Sequence, residues 1–536
     1  MSSHHEDATP RILVADQLAE AGIARLWDAG LVEVATGLGE EQLVARIGDF
    51  AALVVRSETR VTRRVIEAGN SLRVIGRAGV GVDNIDVQAA TERGILVVNA
   101  PTGNTVAAAE HTIAMMLALS RNVARADASL RAGRWERASL VGTEMRGKTL
   151  GVIGLGKIGV EVAKIAKGLQ MRVVAFDPLI SGERAEQLGV ELGSLDEVLR
   201  QSDVLTVHTP LNESTRGMIG ERELALMPPG GRVLNVGRGG LVDEAALARA
   251  VAAGRLAGAA VDVFVSEPPP PDHPLLGDVR ILVTPHLGAS TREAQVTVAT
   301  DVAEQIVDVL AGKPARWAVN APHVPDDELK LVVPYQDLGR RLGSLWSQMG
   351  GGALRAVELV YEGEVARVHT GPISASVLSG MLGAFSHDRV TAVNAGEMAL
   401  RHGVEVREQR TSRSGSFAGA IELRAEGRGP SSIQGALVLG QPRLVLLNEM
   451  RTDLLLDGSF LMLEHRDRPG LIGEIGQVLG VASLNIAEMQ VGRDVPRGLA
   501  VTAIRVDEAI PDEVVEELRG IPDIQRVHRV EISAVA

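Results

Sequence analysis

The feature that most constrains this chain is Gly154-Leu155-Gly156-Lys157-Ile158-Gly159, set directly between an apolar run, Thr149–Ile153, and a helical pattern at 158–169. A strand that turns sharply into a helix through such a loop belongs to a parallel sheet with crossover helices. The first glycine permits the tight turn, the second lets backbone approach a pyrophosphate, and the third lets helix pack on strand. The helix start offers N–H donors and the positive end of its peptide dipoles to phosphate. The next strand, Arg172–Phe176, ends in Asp177, about 20 residues beyond the second glycine. A carboxylate there accepts bonds from the adenine-ribose hydroxyls and repels a 2′-phosphate, so NAD is expected over NADP.

The alternation extends both ways. Upstream, β-type runs at 12–15, Ala52–Val55, 73–76 and 95–99 alternate with helical patterns at 21–29, 40–47, Arg63–Ala68 and 87–93. Near-continuous apolar runs of this kind suit strands buried on both faces. A long helical stretch at 106–120 follows Pro101. Further strands are expected at Val204–Val207, 232–235, 259–263 and Ile281–Val283. Ser194 with Glu197 reads as a capping box and Asp243 as an N-cap. A helix at 292–311 should return the chain to the first sheet. From 320 to 455 helices mix with alternating strands such as 418–424, and 410–416 reads as a polar loop. From 459 to 532 the order is strand, helix, strand, strand, helix, strand, a ferredoxin-like module.

At 536 residues the chain exceeds one hydrophobic core. Its net charge of -13, with no long basic run, argues against nucleic acid or an anionic membrane as partner. With no cysteine, disulfides, zinc-thiolate sites and thiol nucleophiles are excluded, and no metal site is expected. Residues 1–10 are polar and lack the basic start and apolar stretch of a signal peptide. They read as a disordered tail. Apolar stretches such as 113–119 fall short of the ~20 residues that span a bilayer. A cytoplasmic protein is expected.

Three segments hold residues suited to alcohol oxidation: Asn235-Val-Gly-Arg238-Gly-Gly, Asp262-Val-Phe-Val-Ser-Glu267-Pro and Pro285-His286-Leu-Gly288-Ala-Ser-Thr. His286 can exchange the hydroxyl proton near neutral pH. Glu267 can bind the far ring nitrogen and stabilise imidazolium. Arg238 can grip a carboxylate through two bonds and polarise the reacting oxygen. With the glycine loop, these segments resemble the D-specific 2-hydroxy-acid dehydrogenase family over residues 11–315. The resemblance implies Lys157 and Ile158 along the pyrophosphate. It implies Thr209, Val236 and Asp262 along the path from adenosine to nicotinamide, with Asp262 near the carboxamide, and Gly288 and Ala289 at the nicotinamide. Gly237 departs from the pattern, since relatives more often carry Ser, Ala or Thr there, and loop stiffness is in question.

The fuller match is to the long-form 3-phosphoglycerate dehydrogenases. Arg56-Ser57 closes a strand, Gly79–Asp83 is a glycine-rich turn, Asn104 precedes the long helix, and Arg137 lies between domains. By resemblance, Arg56, Ser57, Gly81, Asn104 and Arg137 bind the carboxylate and phosphate of 3-phosphoglycerate. His465-Arg-Asp467-Arg-Pro469-Gly470, followed by Asn485-Ile486, resembles the ACT ligand-binding domain. There His465, Asp467 and Asn485 are implied to bind L-serine between paired modules. The implied architecture is two doubly wound α/β domains followed by two α+β domains. These are a flavodoxin-like substrate domain (11–103 and 291–319), a Rossmann NAD domain (104–290), an intervening regulatory domain (320–457) and an ACT domain (458–536). A homotetramer is expected. The competing readings are a glyoxylate or hydroxypyruvate reductase with the same trio, and a dinucleotide-sensing regulator. The extra C-terminal domains speak against the first and the retained trio against the second.

Overall fold

The computed structural model describes residues 9–325, 327–386, 389–413 and 415–532. Most of the expected tail, residues 1–8, lies outside them. The chain divides into two compact units, Met1–Asn99 with Thr300–Ala536, and Ala100–Ala299. Among the described residues no helix is long and apolar enough to cross a membrane.

The first unit opens with a five-stranded parallel sheet in the order Leu31–Val34, Arg11–Val14, Ala52–Val55, Val74–Arg77, Leu96–Asn99. That is the flavodoxin-like order. Its central strand Ala52–Val55 is buried throughout, whereas Leu31–Val34 is an edge strand with no fully buried residue. Its apolar residues are interrupted by Glu33 and stay partly or largely exposed, so it lacks the continuous buried run of the inner strands. The second half of helix Arg292–Leu310 returns to this sheet. A Cβ on Gly76 would lie 2.5 Å from the Val302 side chain, so glycine lets that helix sit directly on the strand.

The same unit holds a six-stranded mixed sheet and a four-stranded antiparallel sheet ordered Ile486–Arg493, Leu499–Val506, Gly458–Arg466, Ile524–Ile532. With helices Leu471–Val481 and Asp512–Arg519 the latter is the expected ferredoxin-like module. It is covered on both faces. Leu461 and Leu463 join Ile475 and Leu479 of its own helix. Phe460 and Met462, on the opposite face, join the core around Leu338, Leu342 and Trp346. Strand Glu405–Thr411 takes in Arg410 and Thr411, which the polarity of the sequence assigned to a loop. It pairs in parallel with Gly352–Gly363 at the sheet edge with nearly every side chain exposed, so register and not amphipathicity makes it a strand.

The second unit is a seven-stranded parallel sheet in the order Ile281–Val283, Leu256–Val261, Gly231–Asn235, Val204–Val207, Thr149–Ile153, Arg172–Phe176, Glu191–Leu192. Strand order reverses beside Thr149–Ile153, the switch point at which doubly wound sheets bind ligands beyond their strand C-termini. The Ser194–Glu197 capping box and the Asp243 cap are both formed. Helix Thr105–Ser120 is followed by Val123–Arg131, a second, more polar helix that the sequence reading passed over.

Candidate active site

Every catalytic and cofactor candidate in the second unit follows a strand's C-terminal end or begins the helix beyond it. The strand at Leu256–Val261 ends earlier than the sequence suggests, which leaves Asp262 as the first residue past the sheet. The three loop glycines differ physically. Gly154 has φ 93 and no room for a side chain, since a Cβ would lie 2.8 Å from His208 O. A Cβ on Gly159 would sit 2.0 Å from Gly154 O, so helix Lys157–Gly168 packs on the turn itself. At Gly156 a Cβ would meet nothing within 4 Å. Nothing in the chain demands a glycine there, and a phosphate approaching the backbone does. The first amides of the helix, at Lys157 and Ile158, have no intrahelical partner. The cradle therefore fits a dinucleotide.

Asp177 anchors this loop as well as facing it. Its Oδ2 accepts from the Leu155 amide at 2.7 Å and its Oδ1 from the Leu179 amide at 2.8 Å. An ionised carboxylate has further lone pairs, which remain for ribose hydroxyls. Thr209 and Val236 lie at the neighbouring strand ends. The Thr209 methyl lies 2.9 Å from where a Gly154 Cβ would be, and Val236 lies 3.4 Å from a Gly288 Cβ.

The structure brings Glu267 and His286 together. His286 Nδ1 donates to Glu267 Oε2 at 2.8 Å, and Glu267 Oε1 accepts from the Phe264 amide at 3.0 Å. Burial pushes the Glu267 carboxyl up, but the bonds from His286 and Phe264 outweigh it and hold it below the ordinary range. His286 has φ 53, a left-handed conformation that a non-glycine residue adopts only when its surroundings impose it. What imposes it is Asp262. The His286 amide donates to Asp262 O at 2.8 Å. Asp262 Oδ1 accepts from Thr284 Oγ1 at 2.6 Å and from the Leu287 amide at 2.7 Å, and its Oδ2 from the Gly288 amide at 2.8 Å. Asp262 is fully buried beneath this loop, with 0% exposure. A buried carboxylate must be paired, and the loop's own donors are its pairs here.

Arg238 projects from a turn held by Asn235, whose amide nitrogen donates to Arg238 O at 2.9 Å and whose carbonyl oxygen accepts from the Gly237 amide at 3.3 Å. A Cβ on Gly237 would lie 2.8 Å from Val207 O, so this glycine makes the loop tight, not loose. A Cβ on Gly239 would lie 2.0 Å from Phe264 O. Glycine at that point lets the Arg238 turn and the Phe264–Glu267 segment touch backbone to backbone. Asn235, Gly239 and Thr284 escaped the sequence reading. The first two stand inside the quoted Arg238 segment, where a polar strand end and paired glycines were the available signal.

The substrate candidates fall on separate units. In the first, buried Asp16 accepts from the Arg56 amide at 2.6 Å, and Asn84 donates to Arg56 O and Thr59 O at 2.7 Å each, which pins the turn that presents exposed Ser57. The neighbouring glycine turn is tied at Val80 O by Asn99 Nδ2, next to Gly81. In the second unit, Asn104 Oδ1 and Thr105 Oγ1 are buried with no hydrogen-bond partner among the described residues. Buried polar atoms are normally paired, so these two have capacity left for a ligand or water. Arg137 is exposed at the start of the short turn Arg137–Leu140.

The effector candidates do not form one pocket within the chain. His465 is only 2% exposed, with Nε2 2.7 Å from Thr502 Oγ1 and Nδ1 3.2 Å from Arg466 O. The Arg497 amide and the Arg493 guanidinium hold the Asp467 carboxyl below its usual range. Asn485 donates to Asp507 at 2.6 Å. In register His465 faces Ala500 and Ile486 faces Val506, the two ends of strand Leu499–Val506. That separates His465 from Asn485 by roughly 20 Å of strand.

Comparison with known proteins agrees with this fold. Residues 113–288 match the D-isomer specific 2-hydroxyacid dehydrogenase NAD binding domain, 331–448 the D-3-phosphoglycerate dehydrogenase intervening domain, and 459–523 the ACT domain. The chain is 44% identical to D-3-phosphoglycerate dehydrogenase of Methanocaldococcus jannaschii, covering 96% of this chain and 99% of that one. It is 42% identical to the Synechocystis protein of the same name, over 97% and 95%. Among solved structures, a glyoxylate reductase from Paecilomyes thermophila is 31% identical with TM-score 0.54, covering 59% of this chain and 99% of that one.

Proposed function

The chain belongs to the D-3-phosphoglycerate dehydrogenase family, and on that premise we propose that Arg238, Glu267 and His286 carry its NAD-dependent oxidation of D-3-phosphoglycerate to 3-phosphohydroxypyruvate, the first step of L-serine biosynthesis. Bound NAD supplies the acceptor for the hydride that leaves C2. With Nδ1 held by Glu267, His286 exchanges the hydroxyl proton through Nε2. Glu267, ionised and oriented by the Phe264 amide, stabilises the imidazolium that forms. Arg238 holds the substrate carboxylate and polarises the reacting oxygen, a task suited to a planar guanidinium. Arg56, Ser57, Gly81 and Asn104 take the substrate's remaining oxygens, with Arg137 as a further cation. Gly154, Gly156, Lys157, Ile158, Gly159 and Asp177 hold the dinucleotide, with Thr209, Val236, Gly237, Asp262, Gly288 and Ala289 along its length.

The observation that carries this reading is the 2.8 Å Glu267–His286 bond on a loop locked by a buried aspartate. The test is turnover of purified protein with NAD across D-3-phosphoglycerate, glycolate, D-glycerate and D-lactate. Selective turnover of D-3-phosphoglycerate is expected, and faster turnover of an unphosphorylated acid would overturn the substrate assignment.

The oligomer completes the reading. Exposed Val123, Leu130 and Trp135, the last 80% exposed, give the second unit an apolar surface suited to a second copy. Exposed Ile486 and Val491 lie on the edge strand of the ACT module. Pairing of modules there would set Asn485 of one chain near the effector residues of another, with serine as ligand, in a cytoplasmic homotetramer.

A further inference from the structure

His111 stands in the apolar helix Thr105–Ser120 and contacts the machinery without reaching the reacting atoms. Its Nε2 lies 3.3 Å from Thr284 Oγ1 and 3.3 Å from Asp262 Oδ1. The Thr284 hydroxyl donates to Asp262, so its oxygen is left to accept from His111. Asp262 in turn holds the amides of Leu287 and Gly288 and, through its own carbonyl, the amide of His286. One helix is thus linked to both sides of the catalytic histidine through one buried carboxylate.

We propose that His111 is a positioning residue for proton transfer, bracing Asp262 and Thr284 and with them the 284–288 loop, so that His286 keeps its left-handed conformation and its bond to Glu267. Without a charged or donating partner, a buried carboxylate gains a proton more readily. Burial alone pushes the Asp262 carboxyl up, and the contacts from His111, Thr284 and the Leu287 amide bring it below the ordinary range. The other titratable groups facing it are Glu267, whose carboxyl the Asp262 charge pushes up, and His286 on the loop it holds. Removing His111 therefore raises the pH at which Asp262 takes a proton. A protonated Asp262 has fewer lone pairs for the loop amides, and the loop loosens on the acid side first.

The inference rests on His286 being the acid–base residue. The test uses the full-length protein with His111→Ala and His111→Gln, the latter keeping an N–H near the position of Nε2. His111→Ala is expected to lower kcat about 10- to 100-fold, the scale of a small misplacement of a reacting group. KM for NAD and NADH affinity should stay within about threefold. The acid limb of its kcat profile should move to higher pH. His111→Gln should recover most of the turnover and the wild-type limb. Wild-type kcat and limb in His111→Ala would overturn the inference. So would a loss of NADH affinity as large as the loss of kcat, or a Gln variant no better than Ala. His286→Ala distinguishes the layers. If it turns over normally, the underlying reading fails; if it is inactive while His111→Ala is unaffected, only the positioning role fails.

Discussion

The seven-stranded unit and the C-terminal four-stranded module both carry a set of candidate residues, yet only one set meets inside a single chain. In the parallel sheet every strand points the same way, so all its C-terminal loops gather at one edge. Glycines then let those loops touch, as Gly239 does against Phe264. Glu267 and His286 are bonded as a result. In the antiparallel module the strands alternate in direction, and Leu499–Val506 separates His465 from Asn485 by its full length. The parallel sheet converges its loops at one edge, whereas this antiparallel module sets its candidates at opposite edges.

The sharpest way to break this comparison is at the catalytic loop. His286→Ala should lower kcat by ~10²–10⁴, the share of a positioned acid–base group, while NADH binding persists. Steady-state turnover with a separate NADH titration checks it, and wild-type turnover would remove the histidine from the mechanism.

A smaller effect is expected at the cofactor. Asp177→Ala removes the ribose acceptor and also releases the Leu155 amide. NAD should bind about 10- to 100-fold more weakly, as for lost hydrogen bonds to a charged group, with NADP changed less. Kd values for both cofactors decide it, and an unchanged ratio would mean that Asp177 serves the loop alone.

Glu267→Gln probes the pair more gently. The Glu267 carboxyl is held below its ordinary range, so it is ionised at neutral pH and stabilises the imidazolium. Without that charge the imidazolium gives up its proton at lower pH. The rise of oxidation rate with pH should begin at lower pH, and the maximal rate should fall less than in His286→Ala. A pH–rate profile in both directions of the reaction is the check.

The smallest effect tests the other region. If serine is held between paired modules, Asn485→Ala should weaken serine binding about tenfold in calorimetry, the scale of one to two lost hydrogen bonds. Serine inhibition requires unequal affinity for two arrangements of the assembly, and a coupling of ~1–3 kcal/mol is sufficient. Tight serine binding by a dissociated monomer would contradict the need for a second copy.

Much of this was legible in the residues themselves. Strands Ala52–Val55, Thr149–Ile153, Arg172–Phe176 and Val204–Val207 have the bounds expected of them, because strands buried on both faces are rich in apolar residues. Edge strands were less legible: Leu31–Val34 and Glu405–Thr411 owe their form to pairing with a neighbour, which polarity does not report. His111 was hidden in an apolar helix, and its contact with Asp262 spans far more sequence than any local motif.

By itself, then, the sequence determined the glycine loop, the acid at its next strand end and the types of residue available for proton transfer, since turn geometry and side-chain chemistry are local properties. The tertiary structure decided which of them meet. It made Asp262 the buried anchor of the histidine loop, and it placed His465 and Asn485 at opposite ends of a strand. Packing and register set distances between residues far apart along the chain, and no local pattern encodes them.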